Sequence, residues 1–387
     1  MFNAIVIRLF PRDVEVPLFN LQFGSSRWVW NRASELKQRF WKEKEENLST
    51  FDLIKLLPVW KREFPWLRGA DSQVLQQTMR NLGEAFKRFF QKKARFPRWK
   101  TRRSRQSFQY PQRVKIEGNR IYLPKIGWVK AKVHRKIVGR IKTVTISRTA
   151  TGKYYASILT EDEKALPTPI SHLEREKVIG IDLGLTHFLT TSKGEKEINP
   201  RFLQKNQRNL RRKQKALSRK EKGSKNRSIA RKLVARAYEK LTNARGDFQH
   251  KISKILADEN QAVGVEDLHV KGLLKNKRVA RSIGDVAWSS FLHKLKYKLE
   301  RAGKIFVKVD RFFPSSHICS YCNTKREKKL TLADRKWTCQ SCLRELDRDE
   351  NAASNIEQET IIQLKADGHT VSACGGLRKT GIFPAVA

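Results

Sequence analysis

Residues 177–194 read KVIGIDLGLTHFLTTSKG, and the fold is decided here. Val178, Ile179 and Ile181 make a short β-branched run, Leu185–Thr191 makes a second, and the pattern predicts two strands in hairpin order. Asp182 stands where the first run ends. A carboxylate at the end of a buried strand is expensive unless it is paired or binds a cation. Working outward, residues 201–250 carry 17 Lys/Arg and three acids. Ile229, Leu233, Leu241, Phe248, Ile252 and Ile255 keep one face apolar, which predicts a helical hairpin with a basic outside. The chain then returns to a strand, QAVGVEDL (261–268), a helix around Trp288–Leu299, a strand, KIFVKVD (304–310), and a short helix from about Glu350. Hairpin, helices, strand, helix, strand, helix is an α/β pattern with a mixed central sheet.

Upstream the texture differs. AIVIRLF (4–10) predicts a lone strand. From about Ser25 large aromatics, among them Trp28, Trp30, Phe40 and Trp41, sit between Lys and Glu as in a helix. In VLQQTMRNLGEAFKRFF (74–90), Leu75, Met79, Leu82, Phe86 and Phe89 form an apolar stripe at helical spacing. Residues 85–105 carry ten Lys/Arg and no acid, with Phe90, Phe96 and Trp99 interleaved and Pro97 breaking the helix. Residues 106–165 alternate Ile, Val, Tyr and Thr, which predicts small antiparallel strands in a barrel-like or sandwich module. Pairing that module with the first strand makes the helices an insertion. Residues 166–176, marked by two prolines, read as a linker.

The chain has 387 residues, is 39% hydrophobic and carries a formal charge of +44. A compact protein so basic repels itself unless it meets a polyanion, and nucleic acid is the natural one. No apolar run approaches the roughly 18 residues of a membrane span, and the start lacks the features of a secretion signal. The expectation is a cytoplasmic protein that follows nucleic acid to the nucleoid. All five cysteines follow residue 318, which excludes a disulfide framework for most of the chain.

Cys319-Ser-Tyr-Cys322 and Cys339-Gln-Ser-Cys342 are separated by 16 residues. Two such turns supply four thiolates for one tetrahedral zinc, in zinc-ribbon spacing and with no position open for chemistry. Cys374 is left over as a plain thiol. Three acids stand out as a hard-cation site: Asp182, Glu266 in AVGVEDL, and Asp349 in LDRDENAASNI. Each has a rival reading. Asp182 could form a turn with Gly184, Asp267 could replace Glu266, and Asp347 or an N-cap role competes for Asp349.

In their order, GIDLG, VGVEDL, the two CxxC pairs and DRDENAASNI resemble the TnpB family of transposon-encoded, RNA-guided DNA nucleases, relatives of type V CRISPR effectors. SSRWVWN, NLGEAFKRFF, FPRWK, LPKIGWVK and SSHICSYC extend the resemblance over nearly the whole chain. It implies an α/β multidomain protein: an RNase H-like (RuvC) nuclease domain with an inserted zinc ribbon, plus a β-barrel wedge domain with a helical recognition insertion. The wedge would be residues 1–12 and 101–168 and the recognition helices 13–100. The nuclease domain would be 177–314, including the basic hairpin 201–258, and 346–368, with the ribbon at 315–345 and a flexible tail at 369–387.

The resemblance further implies a RuvC triad of Asp182, Glu266 and Asp349 holding two Mg²⁺, and one structural Zn²⁺. The implied partners are a guide RNA from the transposon end and double-stranded target DNA, with no obligate protein partner. The implied reaction is phosphodiester hydrolysis next to a short target-adjacent motif, one site cutting both strands. Phe51, Ser72, Gln73, Gln76, Gln109 and Tyr110 match the stretch that reads that motif, and Gln suits adenine edges. Lys92, Lys93, Arg95, Arg98, Lys100, Arg102, Arg103, Arg211, Arg212 and Lys213 are the expected contacts to nucleic-acid backbone. A silent RNA-guided repressor and a transposase or transposition accessory are the rival functions.

Overall fold

The first strand, β1 (Phe2–Phe10), has Ile7 and Leu9 buried while Val6, Arg8 and Phe10 are exposed. Such alternation calls for a sheet covered on one face. The computed structural model describes residues 1–326 and 334–372, which form two units, Met1–Ala165 and Leu166 onward.

After β1 the first unit inserts its helices: α1 (Val16–Lys44), α2 (Thr50–Lys55), α3 (Leu57–Glu63) and α4 (Ser72–Phe90). Six strands follow: β2 (Gln106–Tyr110), β3 (Lys115–Glu117), β4 (Arg120–Leu123), β5 (Gly127–Lys132), β6 (Arg140–Arg148) and β7 (Tyr154–Glu161). They join β1 in one antiparallel sheet of order β2-β6-β7-β1-β5-β4-β3. The expected barrel is not closed by hydrogen bonds, because β2 and β3 are the sheet's edges. It still curls around one core, in which Phe108 and Tyr110 of β2 cluster with Ile121, Leu123 and Val129. The α4 stripe is buried at Leu75, Met79, Leu82 and Phe86 against Val29 and Ala33 of α1 and Leu53 of α2.

The second unit opens with β8 (His172–Glu174), β9 (Val178–Asp182), β10 (His187–Thr191) and β11 (Lys196–Ile198). The helical hairpin follows as α5 (Phe202–Ser218) and α6 (Lys225–Glu259), then β12 (Ala262–Glu266). Next come α7 (Val270–Leu273), α8 (Ala280–Val286), α9 (Trp288–Arg301) and β13 (Ile305–Val309). The chain continues through β14 (Lys336–Thr338), β15 (Glu345–Asp347), α10 (Arg348–Ala366) and β16 (Thr370–Ser372). The central sheet has order β11-β10-β9-β12-β13, with β9, β12 and β13 parallel and β10 and β11 antiparallel.

Period-two alternation gives this sheet two different faces. Ile179, Ile181, Val263 and Val265 pack with Phe248 and Ile252 of α6 and with Phe291 and Leu295 of α9. On the other face Gly180 and Gly264 lie side by side in register, and α10 rests on them. A Cβ built on Gly180 would sit 2.1 Å from Ala353 O, and one on Gly264 would sit 1.8 Å from Thr360 Oγ1. Glycine is required there because nothing larger fits under the helix.

Three expectations change. The apolar hairpin face is buried at Leu241, Phe248 and Ile252, but Ile229 and Leu233 are exposed. The 166–176 linker contains β8, and residues 370–372, expected in a loose tail, pair parallel with it. The remainder of that tail, Cys374 included, lies outside the described residues. Among the described residues no helix is long and apolar enough to cross a membrane.

The glycine contact has a testable sign. Gly180→Ala is expected to destabilise by about 1–3 kcal/mol through overpacking. Gly246→Ala, in α6 with nothing within 4 Å, is expected to stabilise by about 0.5–1 kcal/mol through helix propensity. Thermal or urea midpoints of the two variants check the opposite signs.

Candidate functional site: a carboxylate cleft clamped to a four-cysteine module

Asp182 follows Gly180 by two residues and Glu266 follows Gly264 by two, so both carboxylates lie on the α10 face of their strands. The strands are parallel neighbours with Ile181 opposite Val265, which brings the two acids together at the carboxyl ends. Asp349 sits in the first turn of α10. All three line one cleft of about 700 Å³, together with Arg311, Phe312, His317, Arg335 and Arg348.

The electrostatics are those of like charges held close. Burial first, and then repulsion from Asp349 and Glu266, push the Asp182 carboxyl up to about 7. Burial also raises Glu266. A divalent cation would reverse both pressures, since hard oxygen donors and surplus negative charge are what such an ion needs. Arg335 partly offsets the charge: Nη1 donates to Asp349 Oδ2 at 3.4 Å and Nη2 to Thr186 Oγ1 at 3.0 Å.

The rival acids are occupied elsewhere. Asp347, not Asp349, is the α10 N-cap: its Oδ1 accepts from Asp349 N at 3.0 Å and Glu350 N at 3.2 Å. Its Oδ2 accepts from Lys196 Nζ at 2.7 Å, and these hydrogen bonds hold it below the usual carboxylate range against its burial. Asp267 bonds to Lys308 at 2.8 Å and Arg311 at 3.1 Å, with the Lys308 bond the main reason its carboxyl is lowered. Buried Asp285 pairs with Arg245 at 2.8 Å and accepts from Leu203 N at 2.9 Å. Asp182, Glu266 and Asp349 are the acids that crowd one another.

The cysteines meet in a second cluster, their four sulfurs within 4.8 Å of one another. Cys319 lies 3.6 Å from Cys342, and Cys322 lies 3.6 Å from Cys339. A tetrahedral site with Zn–S bonds of about 2.3 Å has sulfurs roughly 3.8 Å apart, so the group fits zinc. The two turns share one geometry, for Asn323 and Leu343, four residues after the first cysteine of each pair, both have positive φ. The β14–β15 hairpin carries Trp337 and Leu346 into the same small core.

Three amides that sequence reasoning missed fasten this module to α10. Asn351 Nδ2 donates to Ile318 O at 2.7 Å, and its Oδ1 accepts from Ser320 N at 2.9 Å. Asn355 Nδ2 donates to Ser315 O and Ile318 O, each at 2.7 Å. Gln358 Nε2 donates to Ser320 O at 2.8 Å. Positions 351, 355 and 358 are spaced i, i+4, i+7, a helix-face signal that was available in the sequence.

The expected nucleic-acid contacts divide. Phe51 and Ser72 are exposed, and Gln73, Gln76 and Gln109 are partly so. Gln109 Oε1 accepts from Asn81 at 3.2 Å. Tyr110 is a correction: it is 0% exposed, its hydroxyl donates to Pro124 O at 2.8 Å, and it cannot reach a base edge. Lys100 is partly exposed, its ammonium lies 3.6 Å over the Trp30 ring, and burial lowers it to about 8. Lys92, Lys93, Arg95, Arg98, Arg102, Arg103, Arg211 and Arg212 are exposed and Lys213 partly so.

The second unit is thus a mixed α/β domain that holds a crowded carboxylate cleft beside a four-thiol module. The family model described as "Probable transposase" (OrfB_IS605) matches residues 157–277, and "Cas12f1-like, TNB domain" matches residues 288–356. Two similar proteins carry the name "Putative RNA-guided DNA endonuclease". One, from Streptomyces pristinaespiralis, is 38% identical over 97% of this chain and 92% of its own. The other, InsQ of Escherichia coli K12, is 33% identical over 92% of this chain and 90% of its own. The Cas12f1 chain of a cryo-EM complex with sgRNA and target DNA has the same fold at 14% identity, with TM-score 0.55 over 90% of this chain and 83% of that one. The chain belongs to the TnpB family.

Charge crowding yields a pH-dependent expectation. With its folded pKa near 7 and an ordinary unfolded value of about 3.9, Asp182 adds no penalty below about pH 4. The penalty grows between pH 4 and 7 and is full above 7. In metal-free protein, Asp182→Asn should therefore raise the thermal midpoint by several degrees at pH 8 and by less at pH 5.

Proposed function

We propose that this protein is an RNA-guided, Mg²⁺-dependent endonuclease that cleaves double-stranded DNA beside a short target-adjacent motif at one RuvC site. The observation that carries the reading is the convergence of Asp182, Glu266 and Asp349 in one cleft while each neighbouring acid is tied up elsewhere. The three carboxylates would hold two Mg²⁺. Bound there, the ions would supply Lewis-acid activation and charge stabilisation for phosphodiester hydrolysis.

The protein's own groups orient the strand. Arg335 positions the Asp349 carboxylate and presents cationic charge to a phosphate entering the cleft. Phe312, at the cleft, is 85% exposed. Its backbone N–H is fixed by Asp310 Oδ1 at 2.7 Å, so its ring offers a stacking face to an unpaired base. The four-cysteine module acts as a staple: with zinc in place it fixes residues 315–320, and through Asn351 and Asn355 it fixes the first turns of α10. Residues 1–12 with 101–168 serve as the wedge and residues 13–100 as the recognition domain, and the basic α5–α6 hairpin lies along the RNA. A charge of +44 suits a protein that grips an RNA scaffold and leaves sequence reading to base pairing.

The direct test is cleavage of a plasmid library by protein purified with its RNA. Cutting should require Mg²⁺, disappear after RNase treatment and follow a rewritten guide; cutting that survives RNase leaves only a basic nuclease. Asp349→Ala should reduce the rate by roughly 10²-fold or more and leave RNA binding intact. Asp347→Ala should weaken stability by about 1 kcal/mol, as a lost N-cap does, and still cut. RNA-dependent target binding without nicking by the parent protein would favour a repressor.

Zinc should be found near one per chain by elemental analysis. Cys339→Ser/Cys342→Ser should lose it and speed amide hydrogen exchange in the first turns of α10. Full zinc content in that variant would remove the cysteine site.

A further inference from the structure

A cleft of about 920 Å³ opens in the first unit beside α1, bordered by Trp66, Trp99, Gln106 and Arg148. The two indoles on its rim are not core residues, for Trp66 is 42% exposed and Trp99 is 54% exposed. Each is nevertheless held in place. Trp28 backs Trp66 edge-on, with ring centroids 5.6 Å apart and planes at 85°. The residues flanking Trp99 are pinned to α1: Trp30 Nε1 donates to Arg98 O at 3.1 Å, and Asn31 exchanges two hydrogen bonds with Lys100, at 2.9 and 2.8 Å. An exposed aromatic on a fixed backbone is a prepared surface, not a loose side chain.

The polar lining has a consistent sign. Arg27, Arg32, Arg102 and Arg148 line the cleft against one carboxylate, Glu35. Arg27 donates to Gln106 at 3.1 Å and Arg148 to Asn20 at 2.7 Å, which orients both guanidinium groups and leaves each with further donors. Two buried groups of the cleft lining have no hydrogen-bond partner among the described residues. One is Arg32 Nε, and the other is the hydroxyl of Ser25, a residue 0% exposed that lines the same cleft. Buried polar groups without partners are uncommon, and an enclosed water is what completes such a group.

Indole faces and guanidinium donors together match a nucleotide, with a flat base and a phosphate. A base inside a duplex cannot show its face to an indole, so the nucleotide must be unstacked. Structured RNA supplies such nucleotides at its bulges and loops, where bases splay out onto aromatic and Arg planes. We propose that this cleft captures one unpaired nucleotide of the bound RNA, its base against Trp66 and Trp99 and its phosphate on the arginines. The inference rests on the reading that the protein carries an RNA, and it adds a specific anchoring point to the backbone contacts expected of the basic runs.

The test uses the full chain with the RNA that copurifies with it, probed by dimethyl sulfate and a carbodiimide, which together report on all four bases. One or two unpaired bases should be protected in the parent complex. In Trp66→Leu and Trp99→Leu their reactivity should rise roughly fivefold or more, with the rest of the footprint unchanged. Trp66→Phe, which keeps an aromatic face, should retain the protection and serves as the folding control. A footprint indifferent to both Leu substitutions overturns the proposal while leaving RNA guidance standing. Protection that appears only on an unpaired DNA strand, after target is added, also overturns it. Protein that purifies without RNA sinks the RNA-guided reading and this one together.

Discussion

Everything at the carboxylate cleft depends on how closely one helix can approach one sheet. Gly180 and Gly264 stand in register on adjacent parallel strands; the missing side chain of Gly180 lets the backbone of α10 settle onto the sheet at Ala353 and Glu357, and that of Gly264 makes room for the Thr360 side chain. The acids two residues farther along each strand then meet the first turn of the same helix. A Cβ at either glycine would lift α10, and with it Asp349, away from Asp182 and Glu266. The glycines therefore set the spacing of the charged groups without touching them.

That close approach is secured at the helix end by separate devices. Asp347 caps α10 and takes Lys196, so the helix start is tied to β11 as well as to the sheet. Asn351, Asn355 and Gln358 tie the same helix to the chain that enters the cysteine module. The four-thiol cluster is some distance in sequence from Asp182 and Glu266, yet it bears on them through two buried asparagines. In the proposed reading its metal acts on geometry, not on chemistry.

Much of this was legible in residues 177–194 and 261–268, because a buried strand ending in an acid is a costly arrangement that stands out against any background. The glycines were visible in the same stretches, but their purpose was not, since nothing in a single sequence says which helix will lie over them. In the sequence Asp267 competes with Glu266 and Asp347 with Asp349; the resemblance selects Glu266 and Asp349, and the ion pairs of Asp267 and the cap geometry of Asp347 give the physical reason. The amide ladder at 351, 355 and 358 has a helical period, but polar residues at that spacing usually mark a solvated face, so the sequence does not distinguish it. Tyr110 is hidden from sequence reasoning for a different reason. It lies on an edge strand, and the curl that buries an edge side chain comes from the whole sheet. Ile229 and Leu233 fit the hairpin's apolar period, but α5 covers a different side of that part of α6, where Ala230 is buried and Tyr238 meets Gln214, and leaves both exposed.

The crowding of Asp182 has a consequence for descent. The charge of Asp182, buried and repelled by Asp349 and Glu266, works against the folded state, while the glycines, the cap and the amide clamp work for it. Substitutions at the two kinds of position therefore meet opposite selection. In the proposed reading, replacing Asp182 relieves the fold and leaves the contacts to RNA and DNA untouched, whereas replacing a glycine strains the fold and everything that hangs on it. In the proposed reading, lineages of such a chain can drift from cutting to mere binding by one nucleotide change, with no compensating mutation required. The reverse journey lengthens with each further acid that drifts away, so silence is easily entered and seldom left.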